Sequence, residues 1–532
     1  MIKITDLMIP LTYDMKMLEI IAAKRLCIDH SRIEHISIAK RSVDSLNKQD
    51  IHFNMTVVVS ISGDENEVIS LNRDKSISKE IELFYVVPKK KLKERPVVVG
   101  CGPAGMFAAL ILAQAGARPI LLERGLDVDS RRQSVLKFWQ AGILDIHANV
   151  QFGEGGAGTF SDGKLKVGRK DPRKIKVLSE FVEAGAPPEI MYLSKPHIGT
   201  DRLNTTVKGI REKIISLGGE VHFNATVTEI QHSDGQVTGV GFVENGKPEN
   251  FHADNVVLAI GHSARDTFDS LLNSGIYMEQ KPFAVGVRIE HPQDLINKIQ
   301  YGDFAGHPAL GAADYRMVVH LKNGRGVYTF CMCPGGMVVA ATSEEYGLVA
   351  NGMSELARDG KNANTALLVT IGKQDLGSDH PLAGVLFQRR IEAAAFVAGS
   401  GGYKAPVQRL EDFLLKRNTT AFGDVLPTYL PGTEFAEVDS YMPDYITDSL
   451  REAISEMGSW MPGFACPDAL LTGAETRSSS PVRITRGDSF EAIGKKGLYP
   501  CGEGAGYAGG IISAAVDGVL CAEQILGSRH VI

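Results

Sequence analysis

Residues 97–109 read Val-Val-Val-Gly-Cys-Gly-Pro-Ala-Gly-Met-Phe-Ala-Ala: a β-branched run, a Gly-x-Gly-x-x-Gly turn, then small and apolar helix formers. Few patterns restrict a fold so strongly. Gly100 permits the tight turn, Gly102 lets backbone approach a pyrophosphate, and Gly105 allows the helix to lie close against the strand. Pro103 and Ala104 open that helix, where free N–H groups and the helix dipole favour a diphosphate. A second apolar stretch, 119–122, ends at Glu123, 18 residues beyond Gly105. A carboxylate there accepts both hydroxyls of an adenosine ribose and repels a 2′-phosphate. The pattern predicts a dinucleotide-binding βαβ unit with Gly100, Gly102, Pro103, Ala104, Gly105 and Glu123 on the cofactor, and it disfavours NADP in this position.

The rest of the composition narrows the class. A chain of 532 residues predicts about three domains. With 57 Lys+Arg against 63 Asp+Glu the net charge is −6, which offers no excess of cations to follow a phosphate backbone, so no nucleic-acid partner is expected. Seven scattered cysteines (27, 101, 331, 333, 466, 501 and 521) are not a secreted disulfide framework, and none has the C-x-x-C spacing of a redox dithiol or zinc knuckle. No metal is expected. Residues 97–117 carry no charge, long enough to suggest a membrane span, but the three glycines and Pro103 in its first half fit a buried strand-turn-helix better. The first residues lack a basic and long apolar leader. The expectation is a cytoplasmic protein with no membrane partner.

Along the chain the texture changes three times. Residues 1–92 carry strand-like runs at 2–11, 33–38, 51–61 and 81–87 and helical patterns at 15–26 and 65–72. This β-α-β-β-α-β order predicts a small ferredoxin-like α+β domain. The lysine-rich stretch 89–93 reads as a solvated linker. Residues 93–275 have α/β character. Residues 276–470 read as an inserted α+β domain, with strands at 283–289, 317–321, 327–333 and 337–342 and helices near 386–398, 408–415 and 446–457. Residues 471–532 return to glycine-rich α/β. The fold class is therefore α/β, a Rossmann-like dinucleotide domain split by an inserted substrate domain and preceded by the small α+β unit.

The N-terminal motif resembles that of the glutathione-reductase-type FAD superfamily, in which Glu123 is extended by Arg124 and Gly125 as in many members. Two later segments strengthen the resemblance. Residues 256–261, Val-Val-Leu-Ala-Ile-Gly, resemble the strand ending in Ala-Thr-Gly, with Ile260 in place of Thr. Residues 497–503, Gly-Leu-Tyr-Pro-Cys-Gly-Glu, resemble the late strand ending in Gly-Asp, with Glu503 in place of Asp. FAD needs that distant second contact and NAD does not, so the resemblance implies FAD, with Gly261, Gly502 and Glu503 on it. It also implies that the helix opened by Gly509, Gly510 and Ile511 points at the flavin N1–C2=O edge, and that Val227 in the 225–230 strand meets the adenine. The loop 152–165 is dense in glycine and exposes backbone amides; Gly155, Gly156, Thr159, Ser161 and Lys164 are expected along the flavin or its phosphates. Taken with 330–336 and 351–354, these blocks resemble a bacterial family of FAD-dependent dehydrogenases of the NAD(FAD)-utilising type, over nearly the whole chain.

Bound FAD carries the redox chemistry while the protein supplies position and charge. Arg477 and Arg483, among hydroxyls at 475–483, suit a substrate carboxylate or phosphate, and with Lys164 they are the expected catalytic contacts. Arg288 and Glu290 alternate on one strand face, as a pocket lining or an ion pair. Cys331 and Cys333 share a face of their strand; buried structural thiols are the first reading, with a nucleophile, a metal site and a redox pair as the alternatives. His262 follows the middle strand, within reach of a cofactor or serving structure alone. The absence of a dithiol near the first motif argues against a disulfide reductase. The expected function is an FAD-dependent oxidoreductase acting on a small-molecule substrate, with NAD(P)H as a transient donor. A flavin monooxygenase, an ene-type reductase and a non-catalytic flavin-sensing protein are the alternatives.

Overall fold

The computed structural model describes residues 1–165 and 171–527, so residues 528–532 of the expected C-terminal part lie outside the described residues. The fold is mixed α/β.

The first strand, Ile2–Pro10, buries Ile2, Ile4, Leu7 and Ile9. Asp14 then caps the helix Met15–Leu26 by accepting from the Met17 N–H at 2.7 Å, and Cys27, in the left-handed region, ends it. The four strands of this unit lie in the order Ile33–Asp44, His52–Ile61, Ile2–Pro10, Ile77–Lys79, every pair antiparallel. The last strand is not at 81–87, as expected from its apolar content. Ile2 already faces Lys79 and the Glu80 N–H reaches the Met1 carbonyl, so residues beyond 80 have run past the end of the partner strand. They form no regular structure and leave Ile81, Phe84 and Val86 exposed.

A parallel five-stranded sheet follows, in the order Leu498–Pro500, Val256–Leu258, Val97–Val99, Ile120–Leu122, Glu220–His222. Its strands are only three residues long, and the central three are wholly buried, as expected where both faces are covered: one by helices, the other by the antiparallel sheet 225–252 and the helix Arg265–Asn273. The helix Pro103–Gln114 packs against the C-terminal helix Ile511–Ile525 so closely that a Cβ on Gly518 would lie 2.0 Å from the Ala104 carbonyl oxygen. A separate antiparallel sheet, Ala225–Ser233, Gln236–Glu244 and Lys247–His252, fills the connection between Glu220–His222 and Val256–Leu258.

The inserted segment builds a seven-stranded sheet in the order Val318–His320, Gly326–Cys333, Asn362–Ile371, Phe283–Pro292, Leu470–Glu475, Ala405–Arg409, Thr433–Phe435. Leu470–Glu475 sits inside this sheet between Phe283–Pro292 and Ala405–Arg409, so the expected boundary after residue 470 cuts a strand that belongs to the insertion. Where the chain leaves and returns, Met278–Gln280 and Val482–Ile484 pair antiparallel. The helices expected at 386–398 and 446–457 are Ala383–Ala398 and Asp444–Trp460. The stretch 408–415 instead ends a strand and continues as the short helix Leu410–Leu414. Among the described residues, no helix is long and apolar enough to cross a membrane.

Candidate functional site

One long cavity runs over the C-terminal ends of the parallel strands and under the seven-stranded sheet, the position where open α/β sheets bind ligands. At its floor the glycine motif divides its duties. Gly100 has φ +99° and a Cβ there would lie 2.3 Å from the Ala259 carbonyl oxygen, so both conformation and space require glycine. Gly105 lies off the cavity: its Cβ would meet the Gly100 carbonyl oxygen at 1.8 Å, which makes it a packing glycine rather than a ligand contact. Gly102 is the opposite case. A Cβ there would meet only the Gly156 Cα, at 3.8 Å, so the space over it stands open. Gly102, Pro103 and Ala104 all line the cavity at the helix N-terminus, where the first N–H groups have no intrahelical acceptor.

Glu123 lies where the second strand predicts, but its carboxylate does more than face a ribose. Oε2 accepts from the Cys101 N–H at 2.7 Å, and Oε1 from the N–H groups of Gly125 and Gly153, each at 2.9 Å. It thus ties the phosphate loop to the glycine loop 152–158 and still borders the cavity. Arg124 borders the cavity too, yet its guanidinium is held by Asp266 at 3.1 Å and Thr267 at 2.7 Å and lies over the Phe152 ring. The ion pair fixes the side chain at the cavity edge. Val227 and Gly261 also line the cavity.

The glycine loop is organised by a residue that sequence reasoning missed. Arg131, wholly buried on the helix Val128–Ala141, donates to the carbonyls of Asn149, Val150, Gly153 and Glu154. Burial lowers this guanidinium to about 10, with Glu123 and Glu154 among the groups that oppose the shift. A lone arginine on an amphipathic helix carries no sequence mark of that duty. Within the loop Gly156, Ser161 and Lys164 reach the cavity. The Ser161 hydroxyl is spent on the loop itself, donating to the Gly158 carbonyl at 2.6 Å and accepting from the Gly163 N–H at 3.0 Å. Gly155 and Thr159 do not reach the cavity. They line a small crevice behind it with Met106 and Phe181, and Thr159 Oγ1 donates to the Glu154 carbonyl. The loop's backbone must double back to bring Gly156 against Gly102, which turns these two residues inward.

At the other end Gly509, Gly510 and Ile511 open the C-terminal helix onto the cavity, so two helix N-termini converge on it. Gly502 is a packing position: its N–H donates to Asp517 at 2.7 Å, and a Cβ would lie 2.7 Å from that of Ala104. Glu503 lines the cavity, and its carboxyl has no hydrogen-bond partner among the described residues. Burial pushes its carboxyl up to about 7, with Lys281 pulling the other way. That is an acceptor group held ready for hydroxyls.

The expected catalytic arginines are corrected. Arg477 borders the cavity, but its guanidinium is engaged by Glu392 at 2.8 and 3.1 Å, by Glu344 at 3.3 Å and by Ser343. Arg265 enters the same buried cluster through Glu392 (2.7 Å), Glu344 and Gln388. Arg483 lies outside the cavity wall, above the Tyr507 ring at 5.4 Å. Beside the arginine cluster, burial and then Arg477 and Arg265 lower the His262 imidazole to about 3, which keeps it neutral. Arg288 is an ion-paired core residue, donating to Glu475 at 2.8 and 3.0 Å, while Glu290 on the same strand bonds Thr428 and Asn362. Lys164 donates to the Met332 carbonyl and lies among Phe330, Cys331, Cys333 and Asn351 in the roof of the cavity.

This arrangement defines a dinucleotide-binding α/β protein with a second polar contact point, Glu503, distant from the phosphate loop in sequence but lining the same cavity. A family model described as FAD-dependent protein, C-terminal domain-like, matches residues 282–478, and a domain of unknown function matches 1–60. An uncharacterized protein of Clostridium beijerinckii is 50% identical over 529 residues, covering 99% of this chain and 98% of that protein, and the chain belongs to its family. FAD is the cofactor, and the protein is a flavoprotein. Among solved structures, the 3-ketosteroid-Δ4-(5α)-dehydrogenase of Rhodococcus jostii shares 13% identity over 83% of this chain and 99% of that one, with a TM-score of 0.35. A geranylgeranyl bacteriochlorophyll reductase-like protein of Thermoplasma acidophilum shares 13% over 81% and 77%, with a TM-score of 0.37. Likenesses this distant assign no residue.

Proposed function

We propose that the protein is an FAD-dependent oxidoreductase of the glutathione-reductase-type superfamily, passing hydride or electrons between a small-molecule substrate and FAD. NAD(P)H is the proposed transient donor, since the chain has one dinucleotide motif and FAD fills it. The observation that carries this reading is the unused polar capacity along one cavity among the described residues: open space over Gly102 with the free N–H groups of Gly102 and Ala104, and the unpaired carboxyl of Glu503. The residues fit the cofactor. Gly100, Gly102, Pro103, Ala104 and Gly156 would hold the pyrophosphate, Glu123 the ribose and Val227 the adenine. Glu503 would take the ribityl hydroxyls, and Gly261, Gly509, Gly510 and Ile511 the flavin end. When bound, FAD supplies a two-electron redox centre.

The chain's own residues would set its surroundings. The N-terminus of Ile511–Ile525 places partial positive charge at the cavity end, which favours a reduced, anionic ring. Ser161 and Lys164 shape the opposite wall, and the neutral His262 supplies an acceptor beside Arg477. In architecture, the parallel sheet is read as a Rossmann-like FAD domain split by the substrate domain and preceded by a ferredoxin-like unit.

Anaerobic mixing of the FAD-loaded protein with NADH, then NADPH, tests the reading through the visible flavin spectrum. Bleaching by either nucleotide is expected. A colourless protein that takes up no FAD would overturn it, and a yellow one that neither nucleotide reduces would remove the nicotinamide donor.

A further inference from the structure

Cys331 and Cys333 both border the cavity, while Met332 between them turns inward and accepts the Tyr315 N–H on its sulfur at 3.1 Å. A regular strand would give two residues one face by alternation alone. Here the backbone is also distorted. Phe330 pairs with Ala366 and Cys333 with Asn364, so a bulge falls on Cys331 and Met332, and Cys331 is held at φ +41°. Bulges and non-glycine residues at positive φ collect where a side chain is aimed at a site.

The two thiols are unequal. Cys331 is exposed to the cavity and Cys333 is buried behind it, with its Sγ 3.3 Å from the Cys331 carbonyl oxygen; both are free. Exposed attacker and buried partner is the asymmetry that thiol–disulfide exchange uses. Two cations attend them. Arg288 reaches the Cys331 carbonyl and lies 3.5 Å from the Cys333 Sγ, and Lys164 donates to the intervening Met332 carbonyl. Burial raises both thiols, Cys331 to about 11, while Arg288 and Lys164 pull them down. The glycines around the pair let the backbone pack closely against it. A Cβ on Gly352 would strike the Arg288 guanidinium, and one on Gly336 would lie 3.1 Å from the Cys333 Cβ.

The pair lines the same cavity as Gly509, Gly510 and Ile511 of the proposed flavin end. The loop that carries Lys164 carries Gly158, whose Cβ position is 3.2 Å from Ile511 at the start of the C-terminal helix. We infer that Cys331 and Cys333 are a redox-active dithiol that exchanges an electron pair with FAD. This inference rests on the FAD reading above. Oxidation forms one S–S bond and releases two electrons and two protons. The electrons and one proton pass to the flavin, and the second proton passes to water. Reduction of the pair reverses each term.

The test is an anaerobic dithionite titration of the air-oxidised, FAD-loaded protein, with mass analysis of the tryptic peptide 326–358, which holds both cysteines and no other. The wild type is expected to take up about four electrons per FAD, two for each two-electron couple, and its peptide to be lighter by about two hydrogens before reduction. C331S and C333S should each take up about two, and C466S, remote from the cavity, about four. A yellow wild type that takes up two electrons and whose peptide alkylates at both cysteines after air oxidation would overturn the dithiol alone. A colourless protein would remove the FAD reading and the dithiol with it.

Discussion

Gly102 and Gly105 stand three positions apart in one motif, yet the structure asks opposite things of them. Gly102 faces open cavity with φ −76°, a value other residues adopt, and Gly105 is pressed against the Gly100 carbonyl. Gly102→Val should therefore fold with stability within about 1 kcal/mol of wild type and fail to retain FAD. Gly105→Ala forces a backbone shift and should cost at least about 3 kcal/mol through overpacking. Denaturant melts read beside the FAD absorbance of the purified variants separate the two. A Gly102→Val protein that stays yellow would remove the phosphate loop from the cofactor site. These duties were legible in the sequence because a turn, a close approach and a packing contact each need a missing Cβ. Arg131 was not legible, since its four carbonyl acceptors come from a loop whose path only the fold defines. Arg477 was legible as a cavity residue and not as an ion pair, because Glu392 and Glu344 come from distant stretches of sequence.

Among elements, the arginine–glutamate cluster joins the helix Arg265–Asn273 of the dinucleotide part to the helix Ala383–Ala398 of the insertion and to the returning strand end at Arg477. Burial alone would raise the Glu392 carboxyl, but Arg265 and Arg477 hold it far below its ordinary value of 4.5. A carboxyl whose folded pKa is depressed adds stability above its unfolded pKa and loses it as pH falls toward the folded value. Glu392→Gln should thus destabilise the protein by about 3–5 kcal/mol at neutral pH, since two buried guanidinium groups lose their counter-charge, and the deficit should shrink as pH falls below 4.5. Urea melts of both proteins across that range check it; a deficit that stays constant with pH would show that charge is not the cause. Strand order followed the apolar pattern where a partner existed. It failed at 81–87, where the pattern was right for a strand but the first strand had no backbone left to pair.

In the whole molecule, the cavity is walled by pieces from distant parts of the chain, three of which frame its length: the phosphate loop and glycine loop, the 330–333 and 351–352 segments of the insertion, and the turn and helix at 503–514. The sequence showed the first and last as motifs. It suggested a substrate domain over the flavin but not how its segments meet both, because that contact depends on the seven-stranded sheet and on Leu470–Glu475 returning through its middle. A ligand that touches all three walls stabilises the native state by RT ln(1 + [L]/Kd), about 2.7 kcal/mol at a hundredfold excess over Kd. FAD titration should accordingly raise the melting temperature, and hydrogen exchange should slow together at 100–105, 152–164, 330–333 and 509–514. Protection confined to the first two segments would mean that FAD binds to the dinucleotide part alone and leaves the roof free. That outcome would separate cofactor binding from the insertion, and a roof that slows with the floor would make the two parts one redox site.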